Sequence, residues 1–244
     1  VKSKARKFWL TKIWEATMKV RMKKIITPQL NWTKSFINQY CENEILQIAE
    51  YLPNHWGYYL GAKTIFPSSN YQLIDILFNQ ELSREKIKLL KVSDQPRENV
   101  LDAALLFEAI DRAQNPQTLL KNVSNSLKSG GLCFITCLLA SGFEFKTLGH
   151  HSGIAIPPER MNLLSFEGIN ELIKSVGCFE ILEFSTPGVL DIPNVLSQLP
   201  RVKNLDFINY ILNERHDKEL IDSFHEFLQL NRLGTFGRIV LKRK

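Results

Sequence analysis

Apolar positions along this chain alternate between short continuous runs and stripes at helical spacing. Leu101-Asp102-Ala103-Ala104-Leu105-Leu106-Phe107 is an apolar run of strand length. Asn115-Pro116 then opens a helix, a side-chain cap followed by the residue favoured in a first turn. Leu119, Leu120, Val123 and Leu127 share one face, and Gly130-Gly131 is expected to end the helix. Leu132-Cys133-Phe134-Ile135-Thr136 follows at once as a second buried strand. Strand, helix, strand is a parallel β-α-β unit with a right-handed crossover, which predicts an α/β fold.

The same reading predicts helices over 4–26 and 33–42, then a strand from Glu44 to Glu50. A short helix from Asn54 to Leu60, a strand from Lys63 to Phe66 and a helix from Tyr71 to Phe78 come next. Ile87 to Val92, Val100 to Phe107 and Leu132 to Leu138 are the third to fifth strands. After a long loop, Ser165 to Val176 is a helix and Phe179 to Phe184 a sixth strand, with Arg238 to Leu241 the last. Some fifty residues separate those two, with helical stripes at 205–212 and 219–230; a connection so long is a lid, a dimer surface or extra core.

The phrasing resembles the class I S-adenosylmethionine (SAM)-dependent methyltransferases. In that family the strand beginning near Asp102 carries an acidic residue among aliphatics. The turn after it is here Asp111-Arg112-Ala113-Gln114-Asn115-Pro116, and the family's Leu-Lys-Pro-Gly-Gly stands as Leu127-Lys128-Ser129-Gly130-Gly131. Ser165-Phe166-Glu167-Gly168 and Gly177-Cys178-Phe179-Glu180 continue the likeness, which spans 44–186 and the final strand. It implies a Rossmann-like sheet, mostly parallel with an antiparallel last strand and helices on both faces. It also implies SAM as cofactor and a small-molecule or sugar-type methyl acceptor. On this basis 1–43 is a basic helical extension, 44–186 the core, 187–234 a helical insertion and 235–244 the last core strand.

The cofactor motif departs from the family pattern. Aligning the strand around Ile48 puts Gln47 at the strand-one acid, and Ala49, Tyr51 and Pro53 at the loop glycines. Taking Lys63 to Phe66 as strand two puts Ser68 where the ribose-binding acid belongs, with no carboxylate from Thr64 to Asn70. A non-glycine residue in a left-handed turn costs about 1–2 kcal/mol. A missing charge-assisted hydrogen bond costs about 1.5–3 kcal/mol. Tyr51 is expected to place its ring over the adenosine site. Glu50, Asn54 and Ser68 are substitute cofactor contacts, and Leu106 of the fourth strand is a further cofactor-binding candidate. Asp94, after strand three, is either an adenine-amine contact or a turn cap. Two readings follow: a methyltransferase with a rebuilt loop, or a catalytically inactive pseudo-methyltransferase serving as a binding or scaffold partner. Assembly is as a homodimer or beside an active methyltransferase.

For chemistry, His150-His151 lies in the loop after strand five, with a pKa suited to a base, or is an ordinary pair of loop residues. Arg112 stays protonated, so it clamps an acidic acceptor or pairs with Asp111. The four cysteines read as reduced thiols without metal-ligand spacing.

The net charge of +6 is concentrated at the start of the chain, where nine basic residues face Glu15 across the first two dozen positions. That segment touches an acidic membrane surface or nucleic acid, or packs as a helix with a solvated basic face; no nucleic-acid recognition motif accompanies it. No apolar run approaches the ~18 residues of a membrane span, and no uninterrupted signal core is present, so a cytoplasmic location is expected.

Overall fold

The computed structural model describes residues 14–75, 92–93, 97–154, 159–188, 190–202, 205–215 and 217–244. The strands are β1 (Gln47–Tyr51), β2 (Asn70–Ile74), β3 (Val92–Ser93), β4 (Leu101–Phe107), β5 (Leu127–Leu138), β6 (Phe179–Ser185) and β7 (Phe236–Arg243). They form one seven-stranded sheet in the order β3-β2-β1-β4-β5-β7-β6. β1 runs parallel to β2 and β4, and β2 parallel to β3. The start of β5 meets the end of β7 through the Arg243 guanidinium on the Leu127 carbonyl. Just past the end of β5, the Leu139 amide donates to Thr235 at 2.8 Å. β7 is therefore antiparallel, as the family resemblance implies.

The chain divides into two compact units, 1–106 with 123–134 and 243–244, and 107–122 with 135–242. In the first, α1 (Trp14–Arg21), a π-helical turn (Met22–Ile26) and α2 (Thr27–Tyr40) make one helical run, and α3 (Gly57–Ile65) follows β1. The run turns Ile26, Leu30 and Ile37 inward. Gly61 of α3 lets it approach closely, since a Cβ there would stand 2.7 Å from Leu30 Cδ1. Trp32 packs edge-on against Phe134 of β5 at 5.5 Å between ring centroids. β1 is buried from Ile48 on, β2 at Tyr71, Leu73 and Ile74, and β4 along its whole length. Within β4, Asp102 is held by Asn43 Nδ2 at 2.6 Å, the Gln47 amide at 2.7 Å and Lys128 Nζ at 2.6 Å. That carboxylate thereby ties together the starts of three strands.

α4 (Pro116–Ser126) opens as predicted, with Asn115 Oδ1 accepting the Thr118 amide at 2.9 Å. It ends earlier than predicted, at Ser126, and the two glycines lie inside β5. Gly131 is needed there for close approach, because a Cβ would stand 2.9 Å from the Lys128 carbonyl oxygen and 3.2 Å from that of Leu101.

In the second unit the loop after β5 carries α5 (Phe143–Leu148), and α6 (Phe166–Val176) is capped by Ser165, whose Oγ accepts the Gly168 amide. The connection between β6 and β7 holds α7 (Asp191–Gln198), α8 (Asp206–Asn209) with a π-helical turn after it, and α9 (Lys218–Leu230). Ile192, Val195, Leu212 and Leu228 from that connection share a core with Leu148 of α5.

Two predicted elements are corrected. Residues 63–66, expected as strand two, lie in the last turn of α3 and just past it, and 71–74, expected as helix, are β2. The decisive term is non-local: Tyr71 to Ile74 find ladder partners in Ile48 to Tyr51. Most of the predicted third strand lies outside the described residues, as do the N-terminal end of the first predicted helix and the C-terminal end of the predicted 71–78 helix.

Candidate functional site

Ligands of open parallel α/β sheets bind beyond the carboxyl ends of the strands. In the first unit that end is built by the residues closing β1 and β2. Glu50 is buried among Ile48, Leu73 and Leu105, and its Oε2 accepts the Tyr71 hydroxyl at 2.8 Å. Burial pushes its carboxyl up to about 8, against the pull of that hydrogen bond. Tyr51 is 0 % exposed. Burial pushes its phenol up to about 12, with the Ser126 side chain opposing the rise.

Directly after these strands, Leu52 (φ 49°) and Asp75 (φ 52°) take left-handed backbone, and the Leu52 amide donates to the Ile74 carbonyl at 2.9 Å. Left-handed non-glycine residues are uncommon and cluster where a site dictates the backbone. Asp75 is exposed, so its carboxylate ends β2 facing solvent.

This placement revises the predicted cofactor contacts. Ser68 sits exposed in the turn before β2, not at its end. Ala49 and Leu106 are fully buried strand residues, and Glu50 is turned into the core. Tyr51 is a core side chain and does not project over the loop. Gln47 stands at the opposite, amino end of β1, its amide held by Asp102. Pro53 is buried and Asn54 half-buried in the short loop before α3. Asp94 lies outside the described residues. Sequence reading missed Asp75 because it treated 71–78 as helix, and the short apolar run Tyr71 to Ile74 carries no local signal that separates strand from helix.

A second cluster follows β4 in the second unit. Glu108 (φ 53°) accepts Arg112 Nη2 at 2.9 Å and Arg160 Nη2 at 3.0 Å. Asp111, 2 % exposed, accepts Arg160 Nη1 at 2.7 Å and the Leu138 amide at 3.2 Å. Burial pushes the Asp111 carboxyl up to about 7, while Arg160 pulls it down. Arg112 therefore pairs with Glu108, correcting the expected pair with Asp111. The true partner, Arg160, is 49 residues away, a distance no local pattern reports.

His150 and His151 are both exposed, with ring centroids 3.9 Å apart, and neither is hydrogen-bonded to a carboxylate among the described residues. Their loop is fixed by Ser152 Oγ donating to buried Glu144 at 2.6 Å. A cavity of about 430 Å³ beside Tyr59, Lys63 and Phe66 opens at the amino end of β2, the end away from Asp75.

Neither a protein-family model nor a curated protein sequence matches the chain. Solved structures do. A SAM-dependent methyltransferase from Archaeoglobus fulgidus is 14 % identical, with a TM-score of 0.50 over 87 % of this chain and 94 % of its own. A chain from the complex of the Haloferax volcanii Trm112 methyltransferase activator reaches 0.56 at 14 % identity, covering 94 % and 97 %. The fold is that of the class I, SAM-dependent methyltransferases. A [4+2]-cyclase, SpnF, matches the same methyltransferase fold at 0.51 and 12 % identity over 87 % and 80 %, so the architecture alone does not name a reaction. Among the described residues no helix is long and apolar enough to cross a membrane.

Proposed function

We propose that this protein is a SAM-dependent methyltransferase acting on a small-molecule or sugar-type acceptor. One observation carries the reading: an exposed carboxylate, Asp75, directly follows β2, on a sheet of the methyltransferase fold. An acid at that point fits a ribose, whose two hydroxyls donate to it. Asp75 would hold those hydroxyls, and Asp94 the adenine amine. When bound, SAM supplies an electrophilic methyl group. In the second unit, the Glu108 carboxylate is oriented by Arg112 and Arg160.

Titrating SAM by calorimetry and thermal shift tests the reading. Saturation at 100 times the dissociation constant should stabilise the protein by ~2.7 kcal/mol. Asp75→Asn should weaken binding by about 10- to 150-fold, the loss of one charge-assisted pairing of ~1.5–3 kcal/mol. No response to millimolar SAM would refute it.

A second reading rests on the loop after β1, where buried Pro53 follows Tyr51 and no glycine stands before Gly57, and on the unsupported histidine pair. There the domain binds SAM or a partner protein without catalysis, as a homodimer or beside an active methyltransferase. SAM binding without methyl incorporation into any acceptor pool would select it.

A further inference from the structure

We propose that the outer face of the helical run from α1 to α2 is a docking surface for the anionic lipid of a membrane–water interface, with the helices lying along that surface.

The inner face is committed to the domain. Ile26, Leu30 and Ile37 are buried, Gly61 admits Leu30 at near-contact distance, and the Tyr58 hydroxyl donates to Gln29 Oε1 at 2.6 Å. The run cannot roll to hide its other side. That other side exposes Lys19, Val20, Lys23, Lys24 and Ile25, with Val20 at 57 % and Ile25 at 39 %.

Charge and apolarity coincide there. From 16 to 41 the chain has five basic residues (Lys19, Arg21, Lys23, Lys24 and Lys34) and no acidic one. The first 41 residues hold ten basic and one acidic side chain, a charge of +9 against +6 for the whole, so the rest of the chain is net acidic. The sequence leading into α1 interleaves Lys7 and Lys12 with Phe8, Trp9, Leu10 and Ile13.

Basic residues alternating with apolar ones suit an interfacial helix, whose lysines reach headgroups while the apolar side chains enter the acyl boundary. Nucleic acid would use the charge but leave Val20 and Ile25 wet, and it favours aromatic stacking platforms instead. The surface is independent of the cofactor assignment.

The test is co-sedimentation of the full chain with phosphatidylcholine vesicles, with and without phosphatidylserine. Binding is expected only with phosphatidylserine and should fall steeply with salt. A basic residue near such a surface is worth about fivefold, so K19Q/K23Q/K24Q should lose roughly a hundredfold. V20S/I25S should lose several-fold at unchanged salt dependence, and K121E/K218E, on other elements, should bind as the parent does. Thermal melts check that each variant folds; if the triple variant does not, V20S/I25S and the salt titration decide. Absent binding, equal binding to pure phosphatidylcholine, or indifference to both face variants would overturn the proposal. So would displacement from vesicles by duplex DNA at matched phosphate, which would assign the face to nucleic acid.

Discussion

Replacing Glu50 by glutamine should change how stability depends on pH, by an amount set by the burial of that carboxyl. An unfolded glutamate titrates near 4.5, whereas folded Glu50 keeps its proton to about 8 because burial penalises the charged form. Between those values the native state binds one more proton than the unfolded chain, so stability falls as pH rises and levels off above about 8. At ~1.4 kcal/mol per pH unit, the interval from 4.5 to about 8 amounts to roughly 5 kcal/mol. The Glu50→Gln variant keeps an acceptor for the Tyr71 hydroxyl and cannot ionise. Relative to the parent it should gain about 4 kcal/mol between pH ~5 and ~8. Asp111 and Asp191, raised to about 7 and about 6, titrate in both proteins and cancel in the difference. Urea denaturation at about three pH values, with equal slopes in both proteins, reads the quantity directly. Parallel stability–pH curves for the two would show that Glu50 ionises normally and that its buried setting has been misread.

Arg160→Met should destabilise the fold by about 1–3 kcal/mol, since Asp111 loses its ion pair and, without that pull, is held protonated by burial; Asp111→Asn added to it should cost little more. Additive losses in a double-mutant cycle would count against the pairing. In the native protein a thiol reagent should modify exposed Cys178 readily and half-buried Cys41 slowly, since burial pushes the Cys41 thiol up to about 11. Cys133 and Cys137 should react only on unfolding, and labelling of either in the native protein, located by peptide mapping, would contradict their burial.

What the chain determined locally was read correctly where the cause was local. Asn115 and Ser165 each cap a helix through an amide within three residues, and the seven-residue apolar run of β4 is buried throughout. Gly177 ends α6 in left-handed backbone at φ 75°. The antiparallel last strand came with the family resemblance.

Tertiary contacts decided the rest. Short apolar runs such as 63–66 and 71–74 satisfy helix and strand periodicity equally, and only a partner breaks the tie. α3 tolerates Gly61 because Leu30 of α2 fills the space beside it, and β2 forms because β1 offers a ladder. That single exchange moved the carboxylate at the end of strand two from absent to Asp75. The Arg160 pairing to Asp111 and Glu108 belongs to the same class, since side chains some fifty residues apart meet only after the loop closes on the end of β4. Sequence alone fixes which groups are present and where the backbone is capped. Which of them face a ligand and which vanish into the core is set by pairing and packing, energies that arise only between distant segments.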